Sequence, residues 1–183
     1  QRFMMDKIPG EAPSILTGEE VLRILDAPDL HTNAGLRDRA ILELLGGVGL
    51  KVRELVTLRL ENIDLQISCV ILPGRPDRMI PFGSRTRECL LRYLYEIRDE
   101  VKGPSSLLFP GRGGSMLTRQ AVWKIVKKYA DAAGIGFPVS PEDLRTGLAV
   151  SLLRRGVEPA SVQSLLGIRG PAMKKYLRAA KDQ

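Results

Sequence analysis

The spacing of the hydrophobic residues along this chain differs in one stretch, residues 63 to 82. On either side of this stretch, apolar residues recur every three or four positions, as they do in amphipathic helices. Inside it lie three short apolar runs, at 63–65, 69–72 and 79–82, separated by glycine and proline. The sequence therefore predicts a mainly α fold with a small antiparallel β-sheet (α+β), inserted after the third helix.

Helices are predicted before and after this insert. Thr17-Gly18-Glu19-Glu20 forms a capping box, and the helix that it begins directs Val21, Leu22, Ile24 and Leu25 inward. The second helix is predicted to direct four residues inward: Ala40, Ile41, Leu44 and Leu45. The predicted helices after the first cover 36–47, 51–58, 84–101 (ended by Gly103-Pro104), 117–133, 141–155, 158–166 and 171–179.

The chain length of 183 residues fits one domain with a linker. Residues 1–16 have two prolines and little periodicity, so they are predicted to be the linker and 17–183 the domain. The net charge of +7 and a pI of about 9.7 favour a nucleic-acid partner.

The residues that bind metals are sparse and scattered. Cys69 and Cys89 stand apart from other ligand types, and the single histidine, His31, lies in a polar loop, so no metal and no cofactor are expected. No apolar run approaches membrane-spanning length, so no membrane partner is expected. These features predict a reduced, cytoplasmic location, associated with the nucleoid if the host is a prokaryote.

Four short motifs occur in a fixed order. Gly49-Leu50-Lys51-Val52-Arg53-Glu54-Leu55 comes first, and the box Ser140-Pro141-Glu142-Asp143-Leu144-Arg145 comes near the end, followed by Leu165-Leu166-Gly167 and an isolated Tyr176. The series resembles the catalytic domain of the tyrosine recombinases, the family of phage integrases and Xer-type recombinases. The resemblance covers roughly residues 15–178.

This resemblance implies cleavage of DNA by a tyrosine that becomes linked to the scissile phosphate. Tyr176 matches the nucleophile, Arg145 the arginine that grips two phosphate oxygens, and Lys51 stands where the family has its first arginine. Each has a simpler interpretation. Tyr176 could belong to a small core, Arg145 could pair with Glu142 or Asp143, and Lys51 could be a surface partner of Glu54. Glu54 matches an acidic residue of the family and is expected to hold a neighbouring basic side chain.

Three other positions depart from the family pattern. Glu142 and Ile168 replace histidines, and Pro73 falls on the position of a strand lysine. An ionised carboxylate repels a phosphate, whereas isoleucine donates no hydrogen bond. Glu142 also suits a helix start, because Ser140 is a good N-cap and acids are favoured in the first turn.

The remaining basic residues predict a DNA-binding surface, with solvated charge as the simpler interpretation. The predicted DNA contacts are Arg75, Arg78, Lys124, Lys127, Lys128, Arg154, Lys174 and Lys175.

The resemblance therefore predicts a DNA-binding protein of DNA integration and site-specific recombination, with strand cleavage impaired or lost. Its partners would be double-stranded DNA and other recombinase subunits. The alternatives are an active recombinase that cleaves through Tyr176, or a non-catalytic structural or interaction module. Family members also carry an N-terminal core-binding domain, which is expected to be absent from this chain.

Overall fold

The computed structural model describes residues 14–98 and 106–182, and it has the predicted mainly α architecture with a three-stranded antiparallel sheet. All eight helices named here lie within the described ranges. The helices are α1 (Gly18–Asp26), α2 (Asn33–Leu42), α3 (Val52–Thr57), α4 (Ser84–Arg92), α5 (Arg119–Ala132), α6 (Pro141–Arg154), α7 (Pro159–Leu166) and α8 (Gly170–Lys181). The strands are β1 (Ile63–Asp64), β2 (Cys69–Leu72) and β3 (Arg78–Pro81).

Side-chain caps fix where the helices begin. The predicted capping box of α1 is present: the amide of Glu20 donates to Thr17 Oγ1 at 3.1 Å, and the amide of Thr17 donates to Glu20 Oε1 at 3.0 Å. At the start of α6, the Ser140 hydroxyl accepts from the Asp143 amide at 3.2 Å, and Pro141 takes the first helical position. Both starts were visible in the sequence because each cap is local.

Two predicted helices continue into wider turns. The second predicted helix begins earlier, at Asn33, and continues past α2 as a π-helical segment, Glu43–Val48. The predicted helix over 84–101 consists of α4 and a π-helical segment, Tyr93–Arg98; its last residues and the predicted break at Gly103-Pro104 lie outside the described residues. A π turn inserts one extra residue per turn, which a search for 3.6-residue periodicity does not detect.

The sheet has the order β1-β2-β3, with both pairs antiparallel. Val70 on β2 faces Ile80 on β3, and both side chains are buried, so this pair anchors the sheet to the core. Met79 points to the other face and is exposed. The hairpin loop between β2 and β3 therefore projects from a fixed base.

The described residues form two hydrophobic clusters. The larger cluster contains α1, α2 and the sheet, and the smaller one lies between α6, α7 and α8. Ala40, Ile41, Leu44 and Leu45 are fully buried in the larger cluster, as predicted. The prediction for Leu22 was wrong: Val21, Ile24 and Leu25 are buried, but Leu22 is 46 % exposed, because it lies at the edge of the apolar stripe of α1.

The predicted division into linker and domain stays a prediction, because residues 1–13 lie outside the described ranges. Leu16, at the end of the predicted linker, is buried in the larger cluster. None of the helices in the described ranges is both long enough and apolar enough to cross a membrane.

Candidate nucleic-acid interface

The candidate site is centred on the turn that ends α7. Gly167 has a φ of +63°, a left-handed conformation that suits glycine, and it follows Leu166. The Nη1 of Arg145 donates to the carbonyl of Leu166 at 2.6 Å. This bond fixes the guanidinium of α6 to the turn 21 residues further along the chain.

Two further cations reach the same turn. A Cβ added at Gly167 would lie 2.9 Å from Arg78 Nη1 and 3.6 Å from Lys51 Nζ. The structure therefore brings Lys51, Arg78 and Arg145 together at one turn, although Lys51 precedes α3, Arg78 lies on β3 and Arg145 lies on α6. A side chain at 167 would therefore displace the end of Arg78 and would contact Lys51.

Glu54 organises this cation cluster. Its carboxylate accepts from Arg78 Nη1 and Nη2 at 2.9 and 3.0 Å, and its Oε1 also accepts from the amide of Lys51 at 2.9 Å. The expectation that Glu54 holds a basic neighbour is met by Arg78. The simpler interpretation paired the side chain of Lys51 with Glu54. In the structure, the backbone amide of Lys51 bonds to Glu54 instead. Arg78, a predicted DNA contact, is thus half of an internal ion pair.

Arg145 has an internal partner on its other side. Its Nε and Nη2 donate to Glu142 Oε2 and Oε1 at 3.3 and 3.0 Å. The side chain of Arg145 is 9 % exposed, whereas that of Glu142 is 56 % exposed. The simpler interpretation of Arg145, an ion pair within α6, is therefore the arrangement in this structure.

Tyr176 on α8 contacts α6. Its hydroxyl is 3.2 Å from Thr146 Oγ1, and Thr146 follows Arg145 in the sequence. The side chain is 8 % exposed and belongs to the smaller hydrophobic cluster, as does Ile168. Tyr176 is thus part of a small core, and its hydroxyl contacts the residue that follows Arg145 in α6.

The hairpin loop carries two predicted positions away from the Gly167 turn. Pro73 and Arg75 both lie between β2 and β3 and are exposed to solvent. The loop leads into β3, which carries Arg78, so Arg75 extends from the same hairpin that reaches the cation cluster.

The other predicted DNA contacts lie on α5, α6 and α8. Lys124, Lys127 and Lys128 are exposed on α5, and Lys174 and Lys175 are exposed on α8. Arg154 is also exposed, but its Nη2 donates to the carbonyl of Ala179 at 3.0 Å, so it ties α6 to the last turn of α8.

Sequence reasoning missed Trp123 and Thr146. Trp123 is the only tryptophan of the chain and is 52 % exposed on α5. Its spacing from Lys127, four residues, places both on one helical face, and this spacing was available from the sequence. Nothing in the sequence indicated a role for Thr146, because its partner, Tyr176, lies 30 residues away.

Metal-binding residues do not cluster in the described part of the chain. No group of three or more His, Cys, Asp or Glu side chains there has the arrangement needed to hold a metal ion.

Comparison with known proteins identifies the family. The sequence pattern of the phage integrase family matches residues 14–182. The tyrosine recombinase XerD of Neisseria meningitidis is 40 % identical over 165 residues, which are 88 % of this chain and 56 % of that protein. The chain thus spans about half the length of the curated relatives that it matches.

Two crystal structures have the same fold. The XerA recombinase superimposes with a TM-score of 0.80 at 25 % identity, covering 91 % of this chain and 60 % of the other. The XerH site-specific recombinase, bound to its palindromic difH substrate in a post-cleavage complex, also gives a TM-score of 0.80, at 22 % identity, covering 93 % and 51 %. The predicted α+β fold and the resemblance stated from the motifs are confirmed, and the chain belongs to the phage integrase family of tyrosine recombinases.

Proposed function

We propose that this chain binds double-stranded DNA as the catalytic-domain part of a tyrosine recombinase, with strand cleavage impaired. The observation that carries the proposal is the convergence of Lys51, Arg78 and Arg145 on the Gly167 turn. Cations gathered from three separate elements suit a phosphate group. The cytoplasmic, nucleoid-associated location and the assembly with other recombinase subunits belong to the same proposal.

The exposed faces of α5 and α8 extend this basic region. Lys124, Lys127 and Lys128 are exposed on α5, and Lys174 and Lys175 directly precede Tyr176 on α8. Contacts between cations and phosphates release counterions, so they supply affinity without sequence specificity. We therefore assign these residues to positioning of the duplex.

Impaired cleavage is supported by the state of four side chains. All three guanidinium nitrogens of Arg145 already have partners, and the Tyr176 hydroxyl faces Thr146. Ile168 is buried and donates nothing, and Pro73 replaces a lysine in an exposed loop. Loss of one donor to a reacting oxyanion typically costs about 100- to 1,000-fold in rate.

Binding can be measured with the chain's own fluorescence, because Trp123 lies on α5. Titration with a random 30-base-pair duplex should change the emission of Trp123, and affinity should fall as salt rises. Lys127→Gln should lower the slope of log affinity against log salt by about 1, as expected for one lost phosphate contact. Arg92→Gln is the control, since Arg92 lies on α4 and pairs with Glu96. Affinity that does not respond to salt would contradict the proposal.

Cleavage can be measured as an SDS-resistant adduct on nicked duplex DNA. We expect no adduct, or slow formation of one, with the natural chain. An adduct that forms rapidly and is lost in Tyr176→Phe would contradict impaired cleavage and identify an active recombinase. Lys51→Arg with Glu142→His is the appropriate restored variant, because Ile168→His would place an imidazole in the smaller hydrophobic cluster.

A further inference from the structure

The Arg145 guanidinium is held on two sides within the chain. Its Nη1 donates to the buried carbonyl of Leu166, and its Nε and Nη2 form a fork that holds both carboxylate oxygens of Glu142. Two parallel bonds from an arginine fork suit a carboxylate and a phosphate equally well. We propose that the Glu142 carboxylate occupies the phosphate position of Arg145, so that this residue and a DNA phosphate compete for the same fork. This inference rests on the proposed function.

Glu142 is placed so that it can leave. In the described part of the chain its carboxylate bonds to Arg145 alone, and its side chain is 56 % exposed. Arg145 is 9 % exposed, and its bond to Leu166 uses Nη1, which makes no bond to Glu142. Movement of one exposed side chain therefore opens the fork without movement of the backbone.

The first turn of α6 retains its other contacts when Glu142 moves. Ser140 and Asp143 cap the helix through each other, and neither bond includes Glu142. Substitution of Glu142 should therefore change the occupancy of the Arg145 fork and leave the helix start intact. This separates the proposed competition from an effect on folding.

The first test compares two glutamates of equal charge. Glu142→Gln should tighten binding to a random 30-base-pair duplex by about three- to tenfold, since a charge-assisted pair is lost but part of its strength is screened by solvent. Glu158→Gln, at the exposed start of α7, reports the effect of one lost negative charge and should change affinity by less than about twofold. Equal effects of the two substitutions would overturn the proposal.

The second test asks whether Glu142 acts through Arg145. Lysine at position 145 keeps the charge but cannot form the fork. In an Arg145→Lys background, Glu142→Gln should therefore have no larger effect than Glu158→Gln. A full tightening by Glu142→Gln in that background would overturn the proposal, because the effect would then not pass through the fork.

A third test needs no DNA, so it stays decisive even if the chain binds no duplex. The Nε–H resonance of Arg145 is followed by NMR while phenyl phosphate is added. In the natural chain this resonance should stay in place at ligand concentrations that shift it in Glu142→Gln. If phenyl phosphate shifts it equally in both proteins, Glu142 does not compete, whatever the outcome of the DNA titration.

Discussion

Two glutamates in this molecule each hold arginine side chains, but in opposite surroundings. Glu43 is 2 % exposed and accepts from Arg39, Arg85 and Thr86 at 3.1, 2.9 and 3.0 Å, and Asp26 pairs with both arginines. Glu142 is 56 % exposed and, among the residues that the structure describes, bonds through its side chain to Arg145 alone. A sealed carboxylate cannot be replaced without leaving buried charges unpaired, whereas an open one can exchange its partner. The first arrangement serves the fold, and the second suits a binding site.

The largest expected effect comes from breaking the sealed cluster. Glu43→Gln should lower the free energy of unfolding by about 3–5 kcal/mol, because Arg39 and Arg85 would lose a buried counter-ion. Urea unfolding followed by circular dichroism measures the change, with the exposed Glu158→Gln as the control. A loss of less than about 1 kcal/mol would mean that Asp26 alone compensates the two arginines.

A buried tyrosine gives a second test of how burial controls a titratable side chain, through the pH dependence of unfolding. The Tyr93 hydroxyl donates to the carbonyl of Leu108 at 2.6 Å, and burial raises the pKa of Tyr93 from 10 to about 12. The unfolded chain therefore releases this proton first. The stability associated with neutral Tyr93 is present below pH 10 and is lost between pH 10 and 12, amounting to about 2–3 kcal/mol.

Comparison of the natural chain with Tyr93→Phe isolates this contribution, because Tyr129 also has a raised pKa from burial and from its bond to Asp38. The stability of Tyr93→Phe should fall less steeply between pH 10 and 12. Identical pH profiles for the two proteins would show that Tyr93 does not keep its proton more tightly in the folded chain.

The smallest expected effect is on the open pair. Glu142→Gln should change the free energy of unfolding by less than about 1 kcal/mol, because Glu142 is 56 % exposed and solvent screens its pair with Arg145. Thermal or urea unfolding at pH 7 measures it alongside Glu43→Gln. Equal destabilisation by the two substitutions would mean that solvent exposure does not determine how much each glutamate contributes to stability. Glu142 would then have a structural role.

The sequence predicted features that depend on near neighbours. The caps at Thr17 and Ser140 involve residues three positions apart, and the order of helices and strands followed from local periodicity. The pairing of Arg145 with Glu142 was one of two stated alternatives for the same reason. The sequence did not predict the Glu43 cluster, because Arg85 lies 42 residues away.

The sequence predicted which residues belong to the site but not how they are arranged in space. The motifs placed Lys51 and Arg145 in one series, yet their meeting with Arg78 at Gly167 depends on how α3, β3, α6 and α7 pack. For Glu54, the sequence predicted only that its partner would be basic. It did not identify Arg78, which lies on a strand 24 residues away. Their roles in DNA binding and cleavage stay predictions that the experiments above address.

The buried position of Tyr176 has a kinetic consequence. Its side chain belongs to the smaller cluster and its hydroxyl contacts Thr146 of α6, so full exposure of this residue would require α8 to move relative to α6. Such an opening has its own rate, and a slow opening would set the speed of the whole reaction even if the chemical step were fast. Differences in reaction rate between variants of this chain would then measure how firmly α8 packs against α6.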